Sequence, residues 1–135
     1  YHGIFSTSVS NGNERFVHIL NLDGFDKEIQ LNLDNEKIFE GRKFTLQSKD
    51  GVMLPLNVTL DHAGVTVVYS TAEIFNISDN SIEFRLTQKS DTICLNTDRT
   101  IVDSEDYTID KEGSMVTLTS NKHAKVDDRL VVKFL

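Results

Sequence analysis

Ile82-Glu83-Phe84-Arg85-Leu86-Thr87 sets an apolar side chain at every second position, with a charged or polar one between. Successive side chains of an extended chain point to opposite sides, so this order describes a strand with one buried and one wet face. The same order recurs in Leu56-Asn57-Val58-Thr59-Leu60-Asp61 and in Ile29-Gln30-Leu31-Asn32-Leu33-Asp34. Shorter versions stand at Phe44 and Leu46, Tyr107 and Ile109, and Val116 and Leu118. Valine, isoleucine and threonine are frequent in these runs, which favours strand over helix. No stretch of about 11 residues or more keeps the i, i+3, i+4 apolar stripe of a helix, so one helical turn at most is expected.

Between the runs lie Asn11-Gly12, Asp23-Gly24, Asp50-Gly51, Ala63-Gly64, Asp79-Asn80 and Glu112-Gly113, where glycine or asparagine tolerates positive φ. Short strands separated by such turns, with no helical crossovers, predict an all-β fold. The expected architecture is a single antiparallel β-sandwich domain over residues 1–135, with little or no helix. Runs of about 5–6 residues give roughly ten to twelve strands. Its expected core holds Phe16, Leu20, Ile29, Leu31, Phe44, Leu46, Val58, Val67, Tyr69, Ile74, Phe84, Leu86, Ile93, Ile109, Leu118 and Val132. Phe16–Leu20 and Leu130–Leu135 are apolar on both faces, which suits strands covered on both sides, at the centre of the domain or against another domain.

A chain of 135 residues suits one domain and buries enough surface to fold without disulfide staples. With 21 acidic against 14 basic side chains the net charge is −7, which argues against a nucleic-acid backbone or an anionic membrane as the main partner. The absence of tryptophan, one proline and seven glycines exclude collagen-like and Pro/Gly-rich disordered classes. Cys94 is the sole cysteine, so neither an intramolecular disulfide nor a multi-cysteine zinc site can form. No apolar run approaches the roughly 20 residues of a membrane helix, and no basic start leads into an apolar signal segment. The sequence begins at Tyr1 and not at methionine, and reads as an excised piece or processed product; cytoplasmic and secreted locations both stay open.

The residues able to carry chemistry are scattered. His2, His18, His62 and His123 never fall at the spacing that sets two ligands on one element, and His18, between Val17 and Ile19, reads as an imidazole held by hydrogen bonds. Asp103, Glu105, Asp106 and Asp110, with Asp127 and Asp128, offer oxygens of the kind calcium takes, but lack the spacing and glycine of an EF-hand loop and read as a solvated acidic surface. Glu73 follows Ser70-Thr71-Ala72 in an apolar neighbourhood. Glycoside hydrolysis needs a second carboxylate at a defined distance, and nothing in the sequence supplies one, so Glu73 reads as a carboxylate held by backbone N–H groups or arginine. No Gly-x-Ser-x-Gly elbow, phosphate loop or dinucleotide fingerprint is present. Tyr1, Tyr69 and Tyr107 are scarce material for stacking sugar rings, and the eight phenylalanines are expected in the core. Asn57-Val58-Thr59 and Asn76-Ile77-Ser78 match the short N-glycosylation pattern, which matters only in a eukaryotic secretory setting. These readings assign no catalytic, cofactor-binding or metal-binding residue.

Val67-Val68-Tyr69-Ser70-Thr71-Ala72-Glu73-Ile74-Phe75 closely resembles a signature in the β-sheet region that follows the catalytic barrel in glycoside hydrolase family 35 β-galactosidases. Arg15-Phe16-Val17-His18-Ile19-Leu20-Asn21, Phe39-Glu40-Gly41-Arg42-Lys43-Phe44 and Gly51-Val52-Met53-Leu54-Pro55-Leu56-Asn57 look like the preceding part of that region, in the same order. The resemblance spans roughly residues 14–87. It implies a parent enzyme that removes terminal β-linked galactose with retention, using two glutamates at the strand ends of a (β/α)₈ barrel. A barrel needs about 250 residues and a βαβ rhythm, and neither is present. Neither catalytic glutamate maps onto this chain, and Glu73 belongs to the accessory region's motif.

The implied role is therefore a non-catalytic domain packed beside the catalytic barrel of the same parent chain, which would meet galactosides only through that enzyme. Two other expectations compete with it: an autonomous galactoside-binding module, and an Ig-like structural or adhesion module.

Overall fold

A computed structural model describes residues 4–11, 14–21, 27–30, 32–33, 36–37, 43–46, 51–61, 63–87, 90–121 and 128–135. Every regular element among them is a strand: β1 (Ile4–Asn11), β2 (Glu14–Asn21), β3 (Lys27–Gln30), β4 (Asn32–Leu33), β5 (Glu36–Lys37), β6 (Lys43–Leu46), β7 (Gly51–Leu60), β8 (Val65–Ser70), β9 (Glu73–Ser78), β10 (Ser81–Arg85), β11 (Thr92–Thr97), β12 (Tyr107–Glu112), β13 (Met115–Ser120) and β14 (Arg129–Lys133). The expected all-β, antiparallel sandwich is the fold found. The surplus over ten to twelve strands comes from two-residue pieces, β4 and β5, that pair only with each other.

A seven-stranded sheet runs β1-β2-β7-β8-β11-β13-β12, and a three-stranded sheet runs β14-β10-β9; β3 pairs with β6. All pairings are antiparallel. Between the two larger sheets lies the main core, where Val58, Val67, Ile93, Leu95, Val116 and Leu118 meet Ile82, Phe84, Leu130 and Val132. A second apolar cluster joins Val17, Ile19, Val52, Leu54, Tyr69 and Cys94. On β11, Ile93 and Leu95 enter the main core while Cys94, between them, enters the second cluster. The two clusters thus lie on opposite faces of the seven-stranded sheet.

A paired irregularity explains how β7 and β8 serve both faces. The β7–β8 register passes from Leu56↔Tyr69 to Val58↔Val67, with Asn57 at the left-handed φ of 55° between them. Asparagine is among the few side chains that accept this conformation readily. Opposite it, the β8–β11 register steps from Cys94↔Tyr69 to Cys94's neighbour Leu95↔Val67, leaving Val68 as an extra residue in a β-bulge. Leu56 and Tyr69 therefore join the second cluster, whereas Val58 and Val67 join the main core. The sequence expectation that Leu56, Val58 and Leu60 share one face fails at Asn57.

Of the expected core, Val58, Val67, Phe84, Leu86, Ile93, Leu118 and Val132 are buried in the main cluster, and Phe16, Ile74 and Ile109 pack against it partly buried. Tyr69 is buried in the second cluster and Leu20 is half-buried. Ile29 and Phe44 face each other across β3 and β6, and Leu46 pairs with Lys27; Leu31 lies outside the described residues. Phe16–Leu20 forms an interior strand engaged on both faces, as expected. Leu130–Leu135 does not lie at the centre: among the described residues β14 is an edge strand that buries Leu130 and Val132 on one side, Phe134 after it is buried too, and Leu135 is 80% exposed.

Candidate functional site

The stretch that carries the family resemblance is the corner where the chain leaves the seven-stranded sheet, at the end of β8, and enters the three-stranded sheet at β9. Such a crossing breaks the strand ladder inside the protein, so the exposed backbone groups need other partners. Ser70 supplies two: its hydroxyl donates to the Ala72 carbonyl at 2.7 Å and accepts from the Ala72 N–H at 3.0 Å. Ala72 itself is fully buried in the main core, where a larger side chain would have no room to enter without displacing neighbours.

Thr71 links the corner to Asp91, which is fully buried. The Thr71 hydroxyl donates to Asp91 Oδ1 at 2.7 Å and accepts from the Thr92 N–H at 2.9 Å. Asp91 Oδ1 also lies 3.0 Å from the Thr87 hydroxyl, and Oδ2 accepts from the Thr87 N–H at 3.0 Å. The Thr87 hydroxyl lies 2.6 Å from the Thr71 carbonyl, and the Asp91 N–H donates to Ser120 Oγ at 2.7 Å. The Asp91 carboxylate thereby fastens the ends of β8, β10 and β11, and the Asp91 backbone N–H adds β13. Sequence reasoning missed Asp91; the signal available was a lone acidic residue directly before the apolar Thr92-Ile93-Cys94-Leu95 run.

Glu73, the residue weighed as a glycosidase carboxylate, opens β9. Its Oε1 accepts from Arg85 Nε at 2.6 Å and is also bonded by Arg85 Nη2, while Oε2 accepts from the Met53 N–H at 2.8 Å. Both oxygens are engaged, tying β9 to β10 and to β7. This is the arginine and backbone arrangement expected from the sequence.

The remaining candidates disperse. Asp103, Glu105, Asp106, Asp110 and Asp128 are all exposed, and the described residues contain no group of three or more His, Cys, Asp or Glu placed to hold a metal. Ser104 Oγ accepts from the Asp106 N–H at 3.0 Å, so this segment is a hydrogen-bonded turn leading into β12. Glu105, Asp106 and Asp128 line a cleft of about 570 Å³ with Arg129. His18 lies in β2, opposite Thr7 and Met53. His2, His62, His123, Asp127 and Tyr1 lie outside the described residues. Tyr69 and Tyr107 are buried and present no ring to a ligand. Phe75 departs from the expectation for phenylalanine, being 56% exposed on β9. Asn57 and Asn76 are exposed, and Asn76 Oδ1 accepts from the Ile77 N–H at 3.0 Å.

Tyr107, at the start of β12, donates its hydroxyl to the Val102 carbonyl five residues upstream, as the tyrosine corner of β-sandwiches does. Burial first, then the nearby Asp103 carboxylate, raise its pKa above the ordinary 10.0; the Lys133 backbone pulls the other way, and Asp106 adds the smallest push upward. Arg99 is likewise engaged internally, bonding the Ala63, Asp79 and Leu135 carbonyls. No helix among the described residues is long and apolar enough to cross a membrane. Compared with protein-family models and with curated proteins, the chain matches none.

Proposed function

We propose that this chain is a non-catalytic β-sandwich domain of a β-galactosidase of the glycoside hydrolase type, supporting a catalytic (β/α)₈ barrel in the same parent polypeptide. The observation that carries the reading is the state of the Tyr69–Ile74 stretch. Ser70, Thr71 and Glu73 direct their polar atoms at this chain's own groups, and Tyr69 and Ala72 are buried. A motif with this occupation joins two sheets and offers no free acid or nucleophile.

The test is direct. The 135-residue chain, purified alone, is expected to leave a chromogenic β-galactoside intact, while the product of the complete reading frame turns it over. Turnover by the isolated chain that survives rigorous purification and disappears in Glu73→Gln overturns the proposal. So does a complete reading frame that encodes no barrel.

A further inference from the structure

We propose that the outer face of the β14-β10-β9 sheet, centred on Phe75 and Arg129, docks against a neighbouring domain of the same polypeptide that presents carboxylates beside an apolar patch. Ile82, Phe84, Leu130 and Val132 point into the core, so alternation turns Arg85, Arg129 and Lys133 to the opposite face. The register sets Arg85 directly across from Arg129. Like charges directly opposite each other destabilise a strand pair, and local rules are broken most often where function requires it. Glu73 bonds Arg85, and Glu83 stands 3.8 Å from Arg129, so among the described residues of the three strands this face holds three cations against two carboxylates.

Phe75 adds the apolar part. The β9–β10 register shifts between Phe84↔Ile74 and Glu83↔Asn76, making Phe75 the extra residue of a bulge, a device that re-aims a side chain. Its ring is 56% exposed, with the Arg129 guanidinium 3.7 Å from the ring centroid. An exposed aromatic stacked on arginine is the combination enriched at protein interfaces. Charge then selects the occupant. The chain carries −7, which disfavours nucleic acid. A two-fold contact between copies centred here would set these cations against themselves. A domain bearing carboxylates pairs with Lys133, the cation of this face that has no carboxylate beside it among the described residues.

The inference takes from the proposed function only that a neighbouring domain exists. Hydroxyl-radical footprinting reads it: Phe75 oxidation is expected to fall several-fold in the product of the complete reading frame relative to the 135-residue chain. Lys133→Glu, which reverses an exposed charge without touching the Phe75–Arg129 stack, is expected to return oxidation to the isolated-chain rate while the isolated variant melts like wild type. Equal oxidation in the two proteins overturns the inference, even where a barrel is present and active. Protection of Phe75 by a neighbouring domain that is not a glycosidase barrel upholds it and removes only the proposed function. Self-association of the isolated chain that is lost in Lys133→Glu makes a second copy the occupant and overturns it.

Discussion

Two neighbouring segments, Tyr69–Ile74 and Phe75–Ser78, treat their side chains in opposite ways. In the first, Tyr69, Ser70, Thr71 and Ala72 are buried and their polar atoms are bonded within the chain. In the second, all four residues are exposed. The boundary is the β9 bulge, where one added residue ends the inward pattern. The difference teaches that sequence resemblance and surface chemistry need not coincide. The corner specifies how the sheets join, and the face beside it is what another molecule can touch.

The strongest way to break this comparison is to remove Asp91. Asp91→Ala strands the Thr71 hydroxyl and the Thr87 N–H inside the protein, and removing one partner of a buried charged network costs about 3–5 kcal/mol. The midpoint of urea unfolding should fall accordingly with an unchanged slope. Asp91→Asn, which keeps an acceptor for the Thr87 N–H, should lose less. Asp91→Ala unfolding within about 0.5 kcal/mol of wild type would show that the corner is not held as argued.

Thr71→Val is the next step down. It keeps the shape of the side chain and removes the hydroxyl that bridges Asp91 and the Thr92 N–H. Leaving buried groups unpaired costs about 1–3 kcal/mol. Because both residues belong to one network, the Asp91→Ala/Thr71→Val double variant should lose less than the sum of the two single losses. Strict additivity in urea unfolding would separate the two residues and weaken the case for a single fastening.

Much of this fold is legible in the sequence, because period-two runs such as Ile82–Leu86 convert directly into one buried face. The second core is less so. Leu56 and Val58 look equivalent by period, and only the left-handed backbone at Asn57 with the Val68 bulge sends them to opposite sides. The pairing of Thr71 with Asp91 spans 20 residues, and no local signal links them. The Arg85–Arg129 opposition joins strands far apart in sequence and exists only once the register of β10 and β14 is known. Glu73 was legible as an arginine-held carboxylate because an acidic residue among apolar ones needs a partner.

Tyr107 offers a smaller, pH-dependent comparison. A folded-state pKa raised above the unfolded value means that the fold favours the neutral phenol. That contribution is fully present below pH 10 and is lost as pH rises through the folded pKa. Tyr107→Phe removes the Val102 hydrogen bond, at about 1 kcal/mol near neutral pH. It also removes this alkaline sensitivity. The gap in melting temperature between wild type and variant should narrow above pH 10. A gap constant from pH 7 to 11 would detach the tyrosine from the stability of the β12 corner.

The smallest effect is expected on the outer face, and its smallness is the informative part. Phe75→Ala in the isolated chain removes a ring that is already half in water, together with an exposed cation–π contact of about 0.5–1 kcal/mol. Arg129→Ala removes the same contact and a loose 3.8 Å ion pair while relieving the like-charge opposition with Arg85, so it should lie within about 0.5 kcal/mol of wild type. Both should be read beside Asp91→Ala by the same urea titration. A large loss in Phe75→Ala would make the outer face part of the domain's own scaffold and erase the contrast with the corner. A near-neutral result leaves the exposed Phe75 ring and the Arg129 guanidinium stacked on it with no role in holding the chain together, which is what a face kept for another molecule requires.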